Sequence, residues 1–123
     1  MIMTNADMDA KILFLQQFLD RRDCIGYAAA RNTRLLSTTA TEYINRKEEL
    51  ILKYGSEEFD KNGNKTGRKM LSTNDLNFKK YAVEIDLYAN IEHEVDVFKI
   101  KYSDVVGILS GSEILELDWM LED

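Results

Sequence analysis

The chain contains no proline, although average usage of about 5% would place roughly six in 123 residues. Proline lacks a backbone N–H and breaks the interior of a helix. Because it is absent here, no fixed interruption divides the helical patterns of the sequence. We therefore expect long helices.

Cysteine is almost absent as well, and Cys24 is the sole example. One cysteine cannot form an internal disulfide, which is typical of proteins from reducing compartments. No basic segment followed by an apolar run begins the chain, and no stretch approaches the ~20 apolar residues of a membrane span. With the length of the chain, these absences predict a soluble, cytoplasmic, single domain over residues 1–123 without a membrane partner.

Catalytic motifs are missing too: the chain has one histidine and no phosphate-binding glycine loop, GxSxG, HExxH or paired CxxC motif. The segment from Asp60 alternates acidic and amide residues as a calcium loop does, but Lys65 stands where that loop needs glycine and Leu71 where it needs glutamate. We expect no catalytic residues, no cofactor and no metal site. A hydrolase that uses Cys24 and His93 is kept as a third hypothesis.

Charge is unevenly distributed along the chain. Residues 1–83 carry 14 Lys and Arg against 11 Asp and Glu, whereas residues 84–123 carry 2 against 11, so the two parts have net charges of +3 and −9. An acidic surface repels nucleic-acid phosphates and attracts basic protein surfaces, including the channels of proteins that bind nucleic acid. We therefore expect no direct binding of DNA. Ordinary solubility is the alternative explanation of the acidic excess.

The longest helical pattern runs over residues 26–54. Apolar and small residues recur on one side at the spacing of an α-helix, and charged residues occupy the other side. We predict one continuous amphipathic helix, about 43 Å long at 1.5 Å per residue, with the other elements packed along it. Its predicted inner side comprises Ala28, Asn32, Leu35, Leu36, Thr39, Tyr43, Leu50 and Tyr54.

Two shorter helices and a hairpin are predicted beside this scaffold. The first helix, over residues 6–20, should lie antiparallel to the long one. The Asn62-Gly63 pair predicts a β-hairpin over residues 58–70. The helix predicted over residues 75–89 is apolar on two sides, so its second side must be covered by the following strand or by a second subunit.

Residues 91–97 alternate apolar and acidic side chains, which predicts a half-buried strand with Ile91, His93, Val95 and Val97 on its inner face. Its outward face carries three acids, Glu92, Glu94 and Asp96. Either ordinary solvation of a strand or a surface that mimics phosphate groups explains this row.

Together, the helices and this strand predict a mainly α fold of the α+β class: antiparallel helices packed along one long central helix, with a small β-hairpin and strand element.

The last predicted helix, over residues 113–121, shows two apolar stripes. The second consists of Leu115 and Trp119, and it is either a docking surface or, for the tryptophan, part of the core. Together with the strand acids, we take residues of this acidic helix as candidate partner-binding residues. The helix contributes Glu113, Leu115, Glu116, Asp118, Trp119 and Glu122.

The run EYINRKEELILKYG, followed by an acidic stretch and DKNGN, resembles a group of small proteins from phages and prophages of low-GC Gram-positive bacteria. The resemblance covers the order of elements over most of the chain and involves no catalytic residues. It implies a phage accessory protein that acts in the cytoplasm of a bacterial host. In size and charge the chain is also similar to anti-CRISPR proteins.

Two functional hypotheses follow. The first is a non-enzymatic phage inhibitor that binds a host protein, such as a CRISPR effector or another nucleic-acid enzyme, through the acidic C-terminal third. The alternative is a phage morphogenesis or assembly protein that acts as an oligomer, with a homodimer formed through the two-sided helix over residues 75–89.

Overall fold

The computed structural model describes all residues 1–123 and contains five α-helices. The helices are α1 (Asn5–Leu15), α2 (Cys24–Thr39), α3 (Thr41–Tyr54), α4 (Phe78–Ala89) and α5 (Gly111–Glu116). The strands are β1 (Ile2–Thr4), β2 (Ser56–Phe59), β3 (Lys65–Met70), β4 (Glu92–Glu94), β5 (Ile100–Lys101) and β6 (Leu121–Glu122). Single 3₁₀ turns cover Gln16–Phe18, Tyr102–Asp104 and Asp118–Met120. The predicted mainly α, α+β fold class is confirmed, because helices dominate and the strands form only separate two-stranded pairs.

The prediction of one continuous helix over residues 26–54 is wrong. The helix is divided at Ala40, whose φ of −95° and ψ of 14° depart from helical values. On either side, the hydroxyl of Thr39 donates to the carbonyl of Leu35 and that of Thr41 to the carbonyl of Ser37, both at 2.8 Å. Threonine hydroxyls bonded to the preceding turn bend helices, and β-branching lowers helix propensity further. The chain therefore uses two helices where the apolar period indicates one.

The first helix lies antiparallel to α2, as predicted. Leu15, at the end of α1, shares a core cluster with Ile25 at the start of α2, whereas Met8 shares another with Leu36 near the end of α2. The α-helix itself stops at Leu15, and a 3₁₀ turn continues it, so the predicted range of 6–20 is too long at its end. None of the five helices has the length and apolar content that crossing a membrane requires.

Three apolar clusters make up the core. The largest joins α1 and the first half of α2 to the C-terminal segment around Val105 and Met120. The second lies where β1, α1 and the end of α2 meet Val95. The third, smaller one lies between α3 and α4 around Leu50 and Ile85. The N-terminal and C-terminal parts of the chain thus pack on each other, while the region from α3 to α4 depends on a core of its own.

Asn32 of α2 is the fully buried polar residue that joins these parts. Its Oδ1 accepts the backbone N–H of Phe98 at 2.7 Å, and its Nδ2 donates to the carbonyl of Phe98 at 2.8 Å. The same Nδ2 lies 3.6 Å from the sulfur of Met120. A buried amide is stable only when its polar atoms have such partners. This pair of bonds fixes the segment after β4 against the middle of α2.

The predicted strand over residues 91–97 is shorter in the structure. β4 has three residues because its antiparallel partner β1 has three, with Met3 opposite His93. The predicted alternation nevertheless continues beyond the ladder, since Val95 is buried between exposed acids. Ile91 departs from it, because its side chain is 46% exposed.

The predicted hairpin is confirmed: β2 and β3 pair antiparallel, and Gly63 in the turn has a φ of +80° that favours glycine. The carboxylate of Asp60 accepts the backbone N–H groups of Asn62 and Asn64, both at 2.9 Å. The acidic and amide residues of this loop therefore stabilise a turn.

The predicted ranges of the last two helices were too long. α4 begins at Phe78 and not at residue 75, because Ser72 and Asp75 form turns through their carbonyls before it. α5 ends at Glu116, and the chain then becomes extended so that β6 pairs in parallel with β5. The end of α5 thus depends on a distant strand, β5, whereas the start of α4 is set by local turns.

We predict that Asn32→Ala lowers the free energy of unfolding by about 2–4 kcal/mol, because it leaves the N–H and carbonyl of Phe98 without partners and opens a cavity. Denaturant unfolding followed by circular dichroism measures this change. Asn45→Ala, at an exposed position of α3, is the matched control and should change the unfolding free energy by less than about 0.5 kcal/mol. Equal stability of the two variants would contradict the role assigned to Asn32.

A candidate protein-binding surface

The three acids predicted to face outward from the strand are exposed. Glu92 and Glu94 lie in β4, and Asp96 follows just after the strand ends. The carboxylate of Glu94 accepts a hydrogen bond from the ammonium group of Met1 at 3.0 Å. Glu92 and Asp96 have no cationic group within ion-pair distance. Most of the negative charge of this row therefore faces solvent.

Asp96 borders an open groove of about 520 Å³ between α2 and the segment after β4. Arg31 and Arg34 of α2 also line it. The guanidinium of Arg31 lies 4.8 Å from the ring centroid of Phe98, which holds it over the aromatic face. The acidic row thus ends beside two cations. A partner that reaches Asp96 would therefore meet both signs of charge.

The acids around α5 differ in their surroundings. Glu113 forms a capping box: the hydroxyl of Ser110 accepts the N–H of Glu113 at 3.1 Å, and the carboxylate accepts the N–H of Ser110 at 2.9 Å. Glu116 and Glu122 are exposed and form no ion pair. Glu113 therefore stabilises the start of the helix, and the other two are free to meet a partner.

Asp118 is exposed and accepts a hydrogen bond from the hydroxyl of Tyr102. This bond raises the pKa of Tyr102, because ionisation would break it and leave a phenolate facing a carboxylate. The pair joins the 3₁₀ turn before α5 to the one after it. Asp118 is therefore exposed to solvent but also holds a hydrogen bond within the fold.

Leu115 and Trp119 do not form a shared stripe, which corrects the sequence prediction. Leu115 is 79% exposed. Because α5 ends at Glu116, Trp119 lies in the following turn, where it packs against both the largest and the second core cluster. The Nζ of Lys11 lies 5.8 Å from its ring centroid. Leu115 is thus the exposed member of the predicted stripe, and Trp119 contributes to the core.

His93 and Cys24 lie in different surroundings. His93 lines a groove of about 430 Å³ at the junction of α2 and α3, together with Glu42 and three threonines. Cys24 is exposed at the start of α2 and does not line that groove. No group of three or more His, Cys, Asp or Glu side chains is placed to hold a metal ion. The structure therefore gives the hydrolase hypothesis no groove that contains both Cys24 and His93.

The outer side of α4 is a second surface, which the sequence indicated by its two-sided pattern. Ile85 on the inner side packs in the cluster between α3 and α4. On the outer side, Val83 is 70% and Leu87 73% exposed, and Leu76 just before the helix is 94% exposed. The following strand does not cover them, because β4 pairs with β1. One of the two predicted covers is thus excluded.

We expect Tyr102 to titrate above the ordinary tyrosine pKa of 10.0, and Asp118→Asn to bring its pKa down towards that value. Since the pKa is raised on folding, the contribution to stability is complete below the unfolded pKa and is lost as the pH rises through the folded one. NMR of tyrosine labelled at Cζ measures the pKa of Tyr102 in the unmodified protein and in the variant. The pKa of Tyr43 is raised by burial, so it should not respond to the substitution and is the internal control. An unchanged Tyr102 would contradict the assignment.

Comparison of the chain with models of known protein families, with characterised proteins and with solved structures gives no match.

Proposed function

We propose that this chain is a non-enzymatic phage accessory protein that binds and inhibits a host protein through its acidic C-terminal third. The observation that carries the proposal is the exposure of its acids: of the 11 Asp and Glu in residues 84–123, all except Glu84 and Glu113 are exposed. Such a surface produces a negative field that attracts basic protein surfaces over a distance of about a Debye length, roughly 8–10 Å in physiological salt.

The same region contains little that could neutralise this field. Its two cations, Lys99 and Lys101, are exposed and form no ion pair with the neighbouring acids. Glu92 and Glu94 also share one face of β4, where alternate residues are about 6.7 Å apart, so their charges form a regular row. A basic channel built for the phosphates of a nucleic acid is the partner class that fits such a row. A CRISPR effector or another nucleic-acid enzyme is an example.

The phage origin is supported by the resemblance described above, and the binding role by the arrangement of the surface. Leu115 adds an exposed apolar side chain next to Glu116 and seven residues before Glu122 of β6, two free acids of this region. Interfaces commonly combine an apolar contact with a polar, charged rim. The acids would then guide association, and Leu115 would be desolvated in the complex.

Affinity purification of the tagged protein from a lysate of a low-GC Gram-positive host, at low and high salt, tests this proposal. The test variant reverses Glu92, Glu94 and Asp96 to Lys. The matched control reverses Asp20, Glu42 and Glu48, which are exposed acids outside the C-terminal third, and changes the net charge equally. We expect the test variant to recover at least about tenfold less of the host protein at low salt and to lose most of the salt dependence, while the control recovers as much as the unmodified protein. Equal binding by all three proteins would show that the strand acids do not contribute to partner binding.

The alternative function, a phage assembly protein that acts as an oligomer, is favoured by the uncovered outer side of α4. Recovery of phage structural proteins in the same purification, with no salt-sensitive host protein, would support it. Recovery of a salt-sensitive nuclease or CRISPR effector would support the inhibitor.

A further inference from the structure

The outer side of α4 carries charged residues in a particular order around its apolar centre. Val83 and Leu87 lie one turn apart, and Lys80 lies three residues before Val83 on the same side. Lys79 and Asp86 are seven residues apart, so they occupy the same flank of the helix at a distance of two turns. All five side chains are exposed.

This order of charges is complementary to itself when the helix is reversed. If two copies of α4 pack antiparallel about a two-fold axis near Val83, Lys79 of each copy lies opposite Asp86 of the other. The symmetry repeats the contact, as in every isologous interface, so that two ion pairs flank one apolar seam. Val83 then meets its own copy at the centre.

A parallel arrangement of the same helices lacks this complementarity. It places Lys80 against Lys80 of the other copy within the seam, where like charges repel. The acid that could balance Lys79 across a parallel pair is Glu84, five positions further along, but it is already engaged. It accepts a hydrogen bond from the hydroxyl of Tyr54 at 2.9 Å and pairs with Lys53 at 3.5 Å. The charge pattern therefore favours the antiparallel orientation.

We propose that the outer side of α4 is the interface of a two-fold symmetric homodimer, in which α4 packs antiparallel against α4 of a second copy. A stable dimer usually buries about 800 Å² per partner, and one helix face of this length with its few apolar side chains provides less. The dimer is therefore weak and forms in a concentration-dependent way. It uses Asp86 alone among the exposed acids of residues 84–123, and the strand acids Glu92, Glu94 and Asp96 lie on another element.

Sedimentation equilibrium over a wide range of protein concentrations tests this interface. We expect the unmodified chain to show a monomer–dimer equilibrium, and Val83→Glu to weaken it by at least about tenfold, because two like charges then face each other at the axis. Val106→Glu is the matched control: Val106 is 68% exposed in the loop before α5 and should not affect association. Both valines are exposed, so neither change should disturb folding, which circular dichroism checks.

Charge exchange tests the orientation. Lys79→Glu and Asp86→Lys each convert two attractive contacts into repulsive ones, and we expect each to weaken the dimer by about fivefold. The double variant restores the pairs in reverse and should return the dissociation constant to within about twofold of the original. In a parallel dimer, Asp86→Lys would be neutral and the double variant would not recover, which would overturn the antiparallel geometry.

A chain that stays monomeric at every concentration, or a dimer that Val83→Glu leaves intact, would overturn the proposal. The variant with reversed Glu92, Glu94 and Asp96 should dimerise like the unmodified chain. Failure of the acidic surface and failure of the α4 interface are therefore separately observable.

Discussion

The two hydrogen bonds between the Asn32 side chain and the backbone of Phe98 hold the C-terminal third against the helices. Val95 exchanges hydrogen bonds with Met1, but the rest of the segment between β4 and β5 has no strand partner, so the bonds to Phe98 take the place of a ladder there. From Phe98 the chain continues into β5, which pairs with β6. Just before β6, the sulfur of Met120 contacts the side-chain amide of Asn32. The acidic surface is thereby attached to a rigid frame. A fixed arrangement of charges is what electrostatic complementarity requires of a partner-binding surface.

The distribution of the core explains why the molecule presents two surfaces of different character. The N-terminal helices and the C-terminal segment share the two larger clusters, and the acids of that segment project from a well-packed base. The region from α3 to α4 packs mainly around Leu50 and Ile85, with Ile44 of α3 also in contact with the second cluster, and this packing covers one side of α4. The other side is left apolar and open. In the functions that we propose, the acidic surface would attract a partner by charge at a distance and the outer side of α4 would act by contact, so the two could operate independently.

Features that depend on local chemistry could be predicted from the sequence. The hairpin follows from Asn62-Gly63, and the outward acids follow from the alternation around Val95. The division at Ala40 could not be read from the apolar period, because it arises from threonine hydroxyls that bond to the preceding turn. The sequence placed Asn32 on the inner side, but no local pattern identifies Phe98, 66 positions away, as its partner. For the same reason the sequence left Trp119 open between a docking surface and the core, since its position depends on where α5 ends.

We propose that the acids of the C-terminal third contact a partner. Carbodiimide cross-linking in a host lysate tests it most directly, because this reagent joins a carboxylate to a lysine only where the two are in contact. We expect mass spectrometry to find cross-links from Glu92, Asp96, Glu116 or Glu122 to lysines of one host protein, and these links should disappear in high salt. Cross-links to host proteins that arise only from acids of residues 1–83 would show that the partner binds elsewhere and would overturn this proposal.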